Sequence, residues 1–499
     1  MAEPRPERVY RAACPGCGAP VEYRSAQSTH AVCSFCKSTI VRDGETLSRI
    51  GKMAELFDDH SPLQLMASGS WTGKAFTLVG RLQYKGPDGP WTEWHALLGD
   101  GTSALLAEDN GAYVFAVPAS ANRPLPEAAR FRVGATTAIG GKTFSIASNE
   151  DVTLVSAQGE LPKLPPPGRS FAMVELRSAD GEVLSIDYGT VPPAVTRGRA
   201  IALDELRLTG LQDDNTRESA GRQFSCPSCG APVPVRLETS KSITCPACKS
   251  LIDLSRGIGS ELTHALQDEP IAPLIPLGSS GRLQAVQWQV VGYQHRMGQV
   301  PGDDEQFGWD EYLLYNRKKG FIFLVDTQEG WSIVRPTTGA PSYSDGASTA
   351  TYLGTTFKQK YSYAAHTTYV AGEFYWPVER GQKSFNRDFA DGRRLLSMER
   401  TPREITWSSG TGIDSALVAE AFGLGHKMAL LQRNDAGPTS GGDGSTLSRA
   451  KIFWLIFGAV IYLVFMIGTS KFGTTQGDDD SWSTSGGSFG GSSSGGGHK

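Results

Sequence analysis

Cys14-Pro15-Gly16-Cys17, followed fifteen residues later by Cys33-Ser34-Phe35-Cys36, recurs as Cys226-Pro227-Ser228-Cys229, followed after the same interval by Cys245-Pro246-Ala247-Cys248. Each cysteine of the second set lies 212 positions after its counterpart, and together they are all 8 cysteines of a 499-residue chain. A Cys-x-x-Cys turn places two thiolates on one side of a metal. Two such turns joined by a hairpin complete a tetrahedral four-sulfur shell, the usual closed shell of structural zinc. In Cys17-Gly18-Ala19-Pro20 and Cys229-Gly230-Ala231-Pro232 a glycine follows the second ligand, where the chain must turn tightly. The spacing therefore predicts zinc ribbons over 12–42 and 222–256, each holding one structural Zn2+. Disulfides would need an oxidising compartment, and the start MAEPRPERVYRA has no apolar stretch for export. Nothing around the cysteines reads as the βαβ pattern of a redox motif. Four thiolates leave no open position for water, so the expected role of the zinc is folding energy, not catalysis.

The repetition extends beyond the cysteines. Val79-Gly80 matches Val291-Gly292, Trp91-Thr92-Glu93-Trp94 matches Trp309-Asp310-Glu311-Tyr312, and Gly159-Glu160 matches Gly372-Glu373. The offset drifts by a few residues, as insertions in surface loops produce. Alternating apolar and polar runs with turn signals between them predict two β-rich domains, 58–212 and 270–425, of small barrel or sandwich type with a ribbon packed at the edge of each. Ala75–Leu82, Trp91–Leu98 and Ala112–Val117 read as strands, and Lys85–Pro90 as a turn. Glu45–Phe57 reads as a short helix leading out of the first ribbon.

The C-terminal part differs in kind. Residues 434–450 have the composition of a flexible linker. Ile452–Gly468 is an uncharged, largely apolar run of seventeen residues, or nineteen through Ser470, that spans roughly 26–28 Å at about 1.5 Å per residue, so a transmembrane helix is expected over 451–470. Lys427, Arg433, Arg449 and Lys451 precede it and only Lys471 lies close behind it. The positive-inside rule then keeps the N-terminal region in the cytoplasm of a single-pass inner-membrane protein. The Gly/Ser-rich tail 471–499 is expected to be disordered, on the far side.

Several residues present themselves as sites. Along a strand Trp91 and Glu93 share a face, as do Trp309 and Glu311. A carboxylate beside an indole suits a cationic or sugar-like ligand; the plainer reading is an amphipathic strand with a solvated Glu at its edge. Trp94 and Tyr312 complete these motifs. Glu160 and Glu373 are the partners with which Glu93 and Glu311 would form an acid/base couple. The histidines show no metal-ligand spacing, and His95 and His295 read as structural. No P-loop or HExxH motif is present, and GxSxG occurs only as low-complexity sequence within the Gly/Ser-rich tail. The net charge of −4 gives no field for nucleic acid, and residues 222–256 carry only a small basic excess. The aromatics Tyr361, Tyr363, Tyr369, Phe374, Tyr375 and Trp376 read as sheet core.

Trp309-Asp310-Glu311-Tyr312-Leu313-Leu314-Tyr315, Gly330-Trp331 and Tyr369-Val370-Ala371-Gly372-Glu373-Phe374 resemble the bacterial family called domain of unknown function 4178. Glu93-Trp94-His95-Ala96-Leu97-Leu98 and Gly159-Glu160-Leu161-Pro162 carry a weaker copy. The resemblance implies a β-rich module, sometimes in an envelope or membrane-stress setting, and supplies no catalytic residues. The expectation is a non-enzymatic scaffold that recruits a protein partner to the membrane. The alternatives are a small-ligand binder or enzyme using the Trp/Glu faces and, least favoured, a nucleic-acid-binding ribbon protein.

Overall fold

The computed structural model describes residues 9–433 except 26, 44–45, 54–60, 88, 110–111, 122–123, 213–221, 238–239, 255–261, 268–270, 303, 317–318, 344–345, 347 and 402–403. The predicted transmembrane helix, linker and tail lie outside the described residues. Among the described residues no helix is long and apolar enough to cross a membrane.

Eight antiparallel strands close each repeat into a barrel. In the first these are β1 (Lys74–Gly86), β2 (Gly89–Leu98), β3 (Ser103–Asp109), β4 (Ala112–Pro118), β5 (Lys142–Leu161), β6 (Ser170–Arg177), β7 (Glu182–Asp187) and β8 (Ala194–Ala200). The ring runs β1-β2-β3-β4-β8-β7-β6-β5 and shuts where β5 pairs with β1. The second barrel repeats this order with β9 (Val286–Gln299), β10 (Gln306–Asn316), β11 (Gly320–Thr327), β12 (Gly330–Pro336), β13 (Thr355–Phe374), β14 (Lys383–Asp391), β15 (Arg394–Arg400) and β16 (Ile405–Ile413). Barrel rather than sandwich is thus the outcome, and closure removes the exposed sheet edges of the meander.

Closure depends on one long strand per repeat. The first part of β5 pairs with β6 from Ser145 to Thr153, and its later part crosses to β1 from Leu154 to Gly159. Its last residues, Gly159 to Leu161, use their other edge to pair with the ribbon strand His30–Val32. In the second repeat β13 likewise serves β14, β9 and the ribbon strand Ser242–Thr244. The ribbons are therefore not free-standing modules: the second hairpin of each extends the sheet of its barrel. At the crossing Gly372 faces Gly292, with φ of +88° at Gly372, and a Cβ there would lie 2.2 Å from the Val291 carbonyl oxygen. Gly159 meets Val79 in the same way, at 2.3 Å. Only glycine allows both the left-handed backbone and the approach.

The predicted helix over 45–57 is corrected. Thr46–Lys52 is a strand that pairs with Ser38–Asp43 and extends the first ribbon's edge. Leu47, Ile50 and Met53 recur at helical spacing, but the neighbouring hairpin offers a row of backbone partners that outweighs local periodicity. The predicted turn shrinks too: β1 runs to Gly86 and β2 starts at Gly89.

The two repeats touch. The turn Ser178–Gly181 docks on the second barrel, where Ala340 N–H donates to the Ser178 carbonyl at 3.1 Å and Leu353 N–H to that of Ala179 at 3.0 Å. Buried Arg177, paired with Glu175, also donates to the Thr337 carbonyl at 3.3 Å. Val133 packs with Ile405 and Trp407 of the second barrel.

Gly372→Ala should destabilise the protein by about 2 kcal/mol or more, because it adds both a steric clash and a strained φ. Urea unfolding should show a lower midpoint. An unchanged midpoint would mean the crossing is not tight.

Candidate functional site

Four sulfurs converge at each ribbon. Cys14 and Cys36 Sγ lie 3.7 Å apart, as do Cys17 and Cys33. Cys226–Cys248 and Cys229–Cys245 are separated by 3.7 and 3.8 Å. A tetrahedral centre with metal–sulfur bonds of about 2.3 Å needs sulfur edges of roughly 3.8 Å, so each donor set fits a metal ion. The knuckles form as expected: Gly18 N–H bonds the Cys14 carbonyl and Gly230 N–H that of Cys226, with φ of +78° and +74° at the two glycines. In the second knuckles Lys37 and Lys249 hold the left-handed position that glycine holds in the first, at φ 57° and 61°.

Glu160 and Glu373 do not form an acid/base couple with Glu93 and Glu311. Glu311 stands opposite Gln294 of β9, which stands opposite Val370 of β13; Glu373 lies three residues further along and points to the other face. There its carboxylate accepts from Arg236 N–H, Leu237 N–H at 2.8 Å and the Ser240 hydroxyl at 2.8 Å. Glu160 accepts from Arg24 N–H at 2.7 Å and Ser25 N–H at 3.2 Å. Burial raises both carboxyls, and these N–H donors pull them back. Each Glu is a latch between barrel and ribbon.

Trp91 and Glu93 do share a face, with indole N–H to carboxylate at 3.4 Å, and Trp309 and Glu311 at 2.7 Å. That face is not solvated. Glu311 is 1% exposed and Glu93 5%, which corrects the reading of an edge carboxylate. Arg296 of β9 shows why: it reaches Glu399 of β15 at 3.8 Å and the Ser384 hydroxyl of β14 at 2.5 Å, strands that are not its neighbours in the ring. Such contacts run through the barrel interior. Trp94 and Tyr312 point the opposite way. Trp94 donates to Glu108 at 2.9 Å, and the Tyr312 hydroxyl accepts from Leu274 N–H at 3.1 Å.

The interiors differ. In the first barrel Leu82, Tyr84, Trp91 and Met173 pack as an apolar cluster. The register places Gln294, Arg296, Trp309 and Asn386 at the same positions of the second. There Gln294 donates to Glu311 at 2.5 Å, Arg296 lies 3.8 Å from Glu311, and the Ser397 hydroxyl donates to Asp388 at 2.5 Å. Burial, with the charges of Glu311 and Glu329 adding to it, pushes Asp388 up to about 8. Arg296 and Asp388 were missed in the sequence; the one available signal was the charged residue that recurs at the position of Asp388, Glu175 in the first repeat.

His95 is structural as expected, bonded to the Glu160 carbonyl and the Ser103 hydroxyl. Of the aromatics, Tyr363, Tyr369, Phe374, Tyr375 and Trp376 are buried in the sheet core, whereas Tyr361 is exposed. His295 instead pairs with Asp310 at 2.7 Å beside an open cleft.

Residues 65–202 and 276–415 each match the family described as "Domain of unknown function (DUF4178)". The chain belongs to that family. Each DUF4178 match covers one barrel and begins after its ribbon. Comparison with curated proteins and with solved structures finds no match.

Two measurements test this anatomy. Metal analysis of the purified chain should give two ions, and Cys245→Ser should leave one; retention of both would remove the four-cysteine assignment. Asp388 gives a pH dependence. Its carboxyl rises from 3.8 unfolded to about 8 folded, so between these values the folded state binds more protons and stability falls as pH rises. Denaturant midpoints should therefore drop from pH 6 to 9 in the parent and markedly less in Asp388→Asn.

Proposed function

We propose that the protein is a non-catalytic adaptor, tethered to the inner membrane through 451–470, that holds a protein partner on its cytoplasmic face. Structural zinc in the two ribbons stiffens the docking surface, and the setting is envelope-related. The observation that carries the reading is Phe35. It sits between two metal-binding cysteines, at the tip of the first ribbon, and is 70% exposed. Its counterpart in the second ribbon is Ala247. A large aromatic on a knuckle pinned by metal, with little entropy left to lose, suits the anchor of a protein interface. The separation of the candidate carboxylate couple onto two faces supports binding over acid/base chemistry. Tethering then raises the effective concentration of the partner at the bilayer.

The test is cross-linked co-purification from native membranes, comparing the full chain, a chain ending at Arg433 and Phe35→Ser. The expected result is one partner recovered with the full chain, lost or weakened without the anchor, and reduced about tenfold or more by Phe35→Ser at unchanged metal content. Equal recovery with Phe35→Ser would overturn the docking role. Release of the full chain from membranes by alkaline carbonate would overturn the tether.

A further inference from the structure

The outer face of the second barrel carries a row of residues that its twin has sealed. Across β9, β10 and β11 the register sets His295 opposite Asp310, and Asp310 opposite Asp326. The same row in the first barrel reads Gln83, Thr92 and Glu108. There Gln83 and Thr92 are buried, and Glu108 takes bonds from the Ser61 hydroxyl, the Trp94 indole and the Tyr113 hydroxyl. In the second barrel the row opens on a cleft of about 590 Å³ whose lining includes His295, Gly308, Asp326, Gln328, Gln432 and Arg433. That volume suits a small molecule.

Two features show which chemistry the cleft accepts. The first is Arg433. Its Nε and Nη2 donate to the two oxygens of Asp326 at 2.7 and 2.6 Å, and its guanidinium carbon lies 5.8 Å from the Trp331 ring centroid. Nη1 is spent on the Leu430 and Gln432 carbonyls. One end of the cleft thus already holds an organic cation, supplied by the chain itself, in a bidentate pair beside an aromatic ring. The second is His295. Its Nδ1 lies 2.7 Å from Asp310 Oδ1, which also accepts the Tyr293 hydroxyl at 2.8 Å. Because the carboxylate only accepts, Nδ1 carries a proton, and in the neutral imidazole the lone pair is then on Nε2. Gly308 gives this edge of the ring its room: a Cβ there would lie 3.0 Å from Cε1 and 3.2 Å from Nε2. Among the described residues nothing hydrogen-bonds Nε2. With the donors of Arg433 engaged, the open end of the cleft offers acceptors, and two carboxylates, Asp310 and Asp326, line it with one guanidinium.

We propose that this cleft binds a small organic cation, an amine or guanidine, beside Arg433, with His295 Nε2 accepting one of its N–H groups and Asp310 fixing the imidazole tautomer and balancing the charge. The site does not depend on the adaptor reading, since Phe35 lies on the first ribbon and the cleft on the second barrel. It also differs from the Trp/Glu faces, which point into the barrels.

Calorimetric titration of agmatine and putrescine into the metal-loaded full chain in detergent, in mildly alkaline buffer, tests it. One saturable site is expected. Asp310→Asn should weaken it about tenfold or more, the loss expected for a charge-assisted hydrogen bond. Gln328→Lys, an exposed change at the rim that adds a positive charge, should also weaken it while leaving thermal unfolding unchanged. No saturable heat with either amine would overturn the proposal. So would equal affinity in the parent and Gln328→Lys, or inorganic phosphate binding in place of the amines.

Discussion

A buried carboxylate at the end of the longest strand fastens each ribbon to its barrel. Glu160 and Glu373 are placed where β5 and β13 stop closing the barrel and begin pairing with the ribbon hairpin. Each carboxylate meets backbone N–H groups of residues about 135 positions earlier, so it satisfies orphan donors in a chain turn that has no sheet partner of its own. The cost of burying the charge is offset by those bonds. Removing either side would leave the other buried and unpaired. The four-cysteine set, the ribbon hairpin and barrel closure are consequently one mechanical unit, and the glycine that precedes each Glu lets the strand cross closely enough for the carboxylate to reach.

Duplication has kept this frame and released the contents. The strand order, the bulges, the Gly-Glu crossing and the four-cysteine sets coincide in the two repeats. The interior does not: an apolar packing of Leu82, Tyr84 and Met173 stands where the second repeat has Gln294, Arg296 and Asn386. The outer row does not either, being sealed in one barrel and open in the other. The first barrel reads as a support that presents the Ser178–Gly181 turn to its twin, and the second carries the groups with chemistry to offer.

What the sequence made legible followed from spacing. Cysteines at fixed intervals declared the metal sets, and Gly159-Glu160 with Gly372-Glu373 declared the repeat. Alternation put Trp309 and Glu311 on one face, but alternation has no sign: it cannot tell the lumen from the outer wall until the ring closes, so Glu311 read as a solvated edge residue. The latch role of Glu373 was hidden for a related reason, because its partners are backbone groups, which every residue possesses and no pattern marks. Thr46–Lys52 misled in the opposite direction. Its apolar spacing is helical, and only the adjacent hairpin makes it a strand. The His295–Asp310–Asp326 row needed three strands in register before it existed at all.

Arg433 is the last of the described residues. A pull on the C-terminal side would meet the barrel first at the bidentate pair with Asp326, backed by the Trp331 indole donating to the Leu431 carbonyl at 2.8 Å. Asp326 belongs to β11, which is hydrogen-bonded along both edges. Tension would therefore be shared across the sheet wall instead of peeling one strand away. The same pair is the weak link, because burial lifts the Asp326 carboxyl to about 6. The grip of the second barrel on its own C-terminal arm is thus a fastener that slackens in acid.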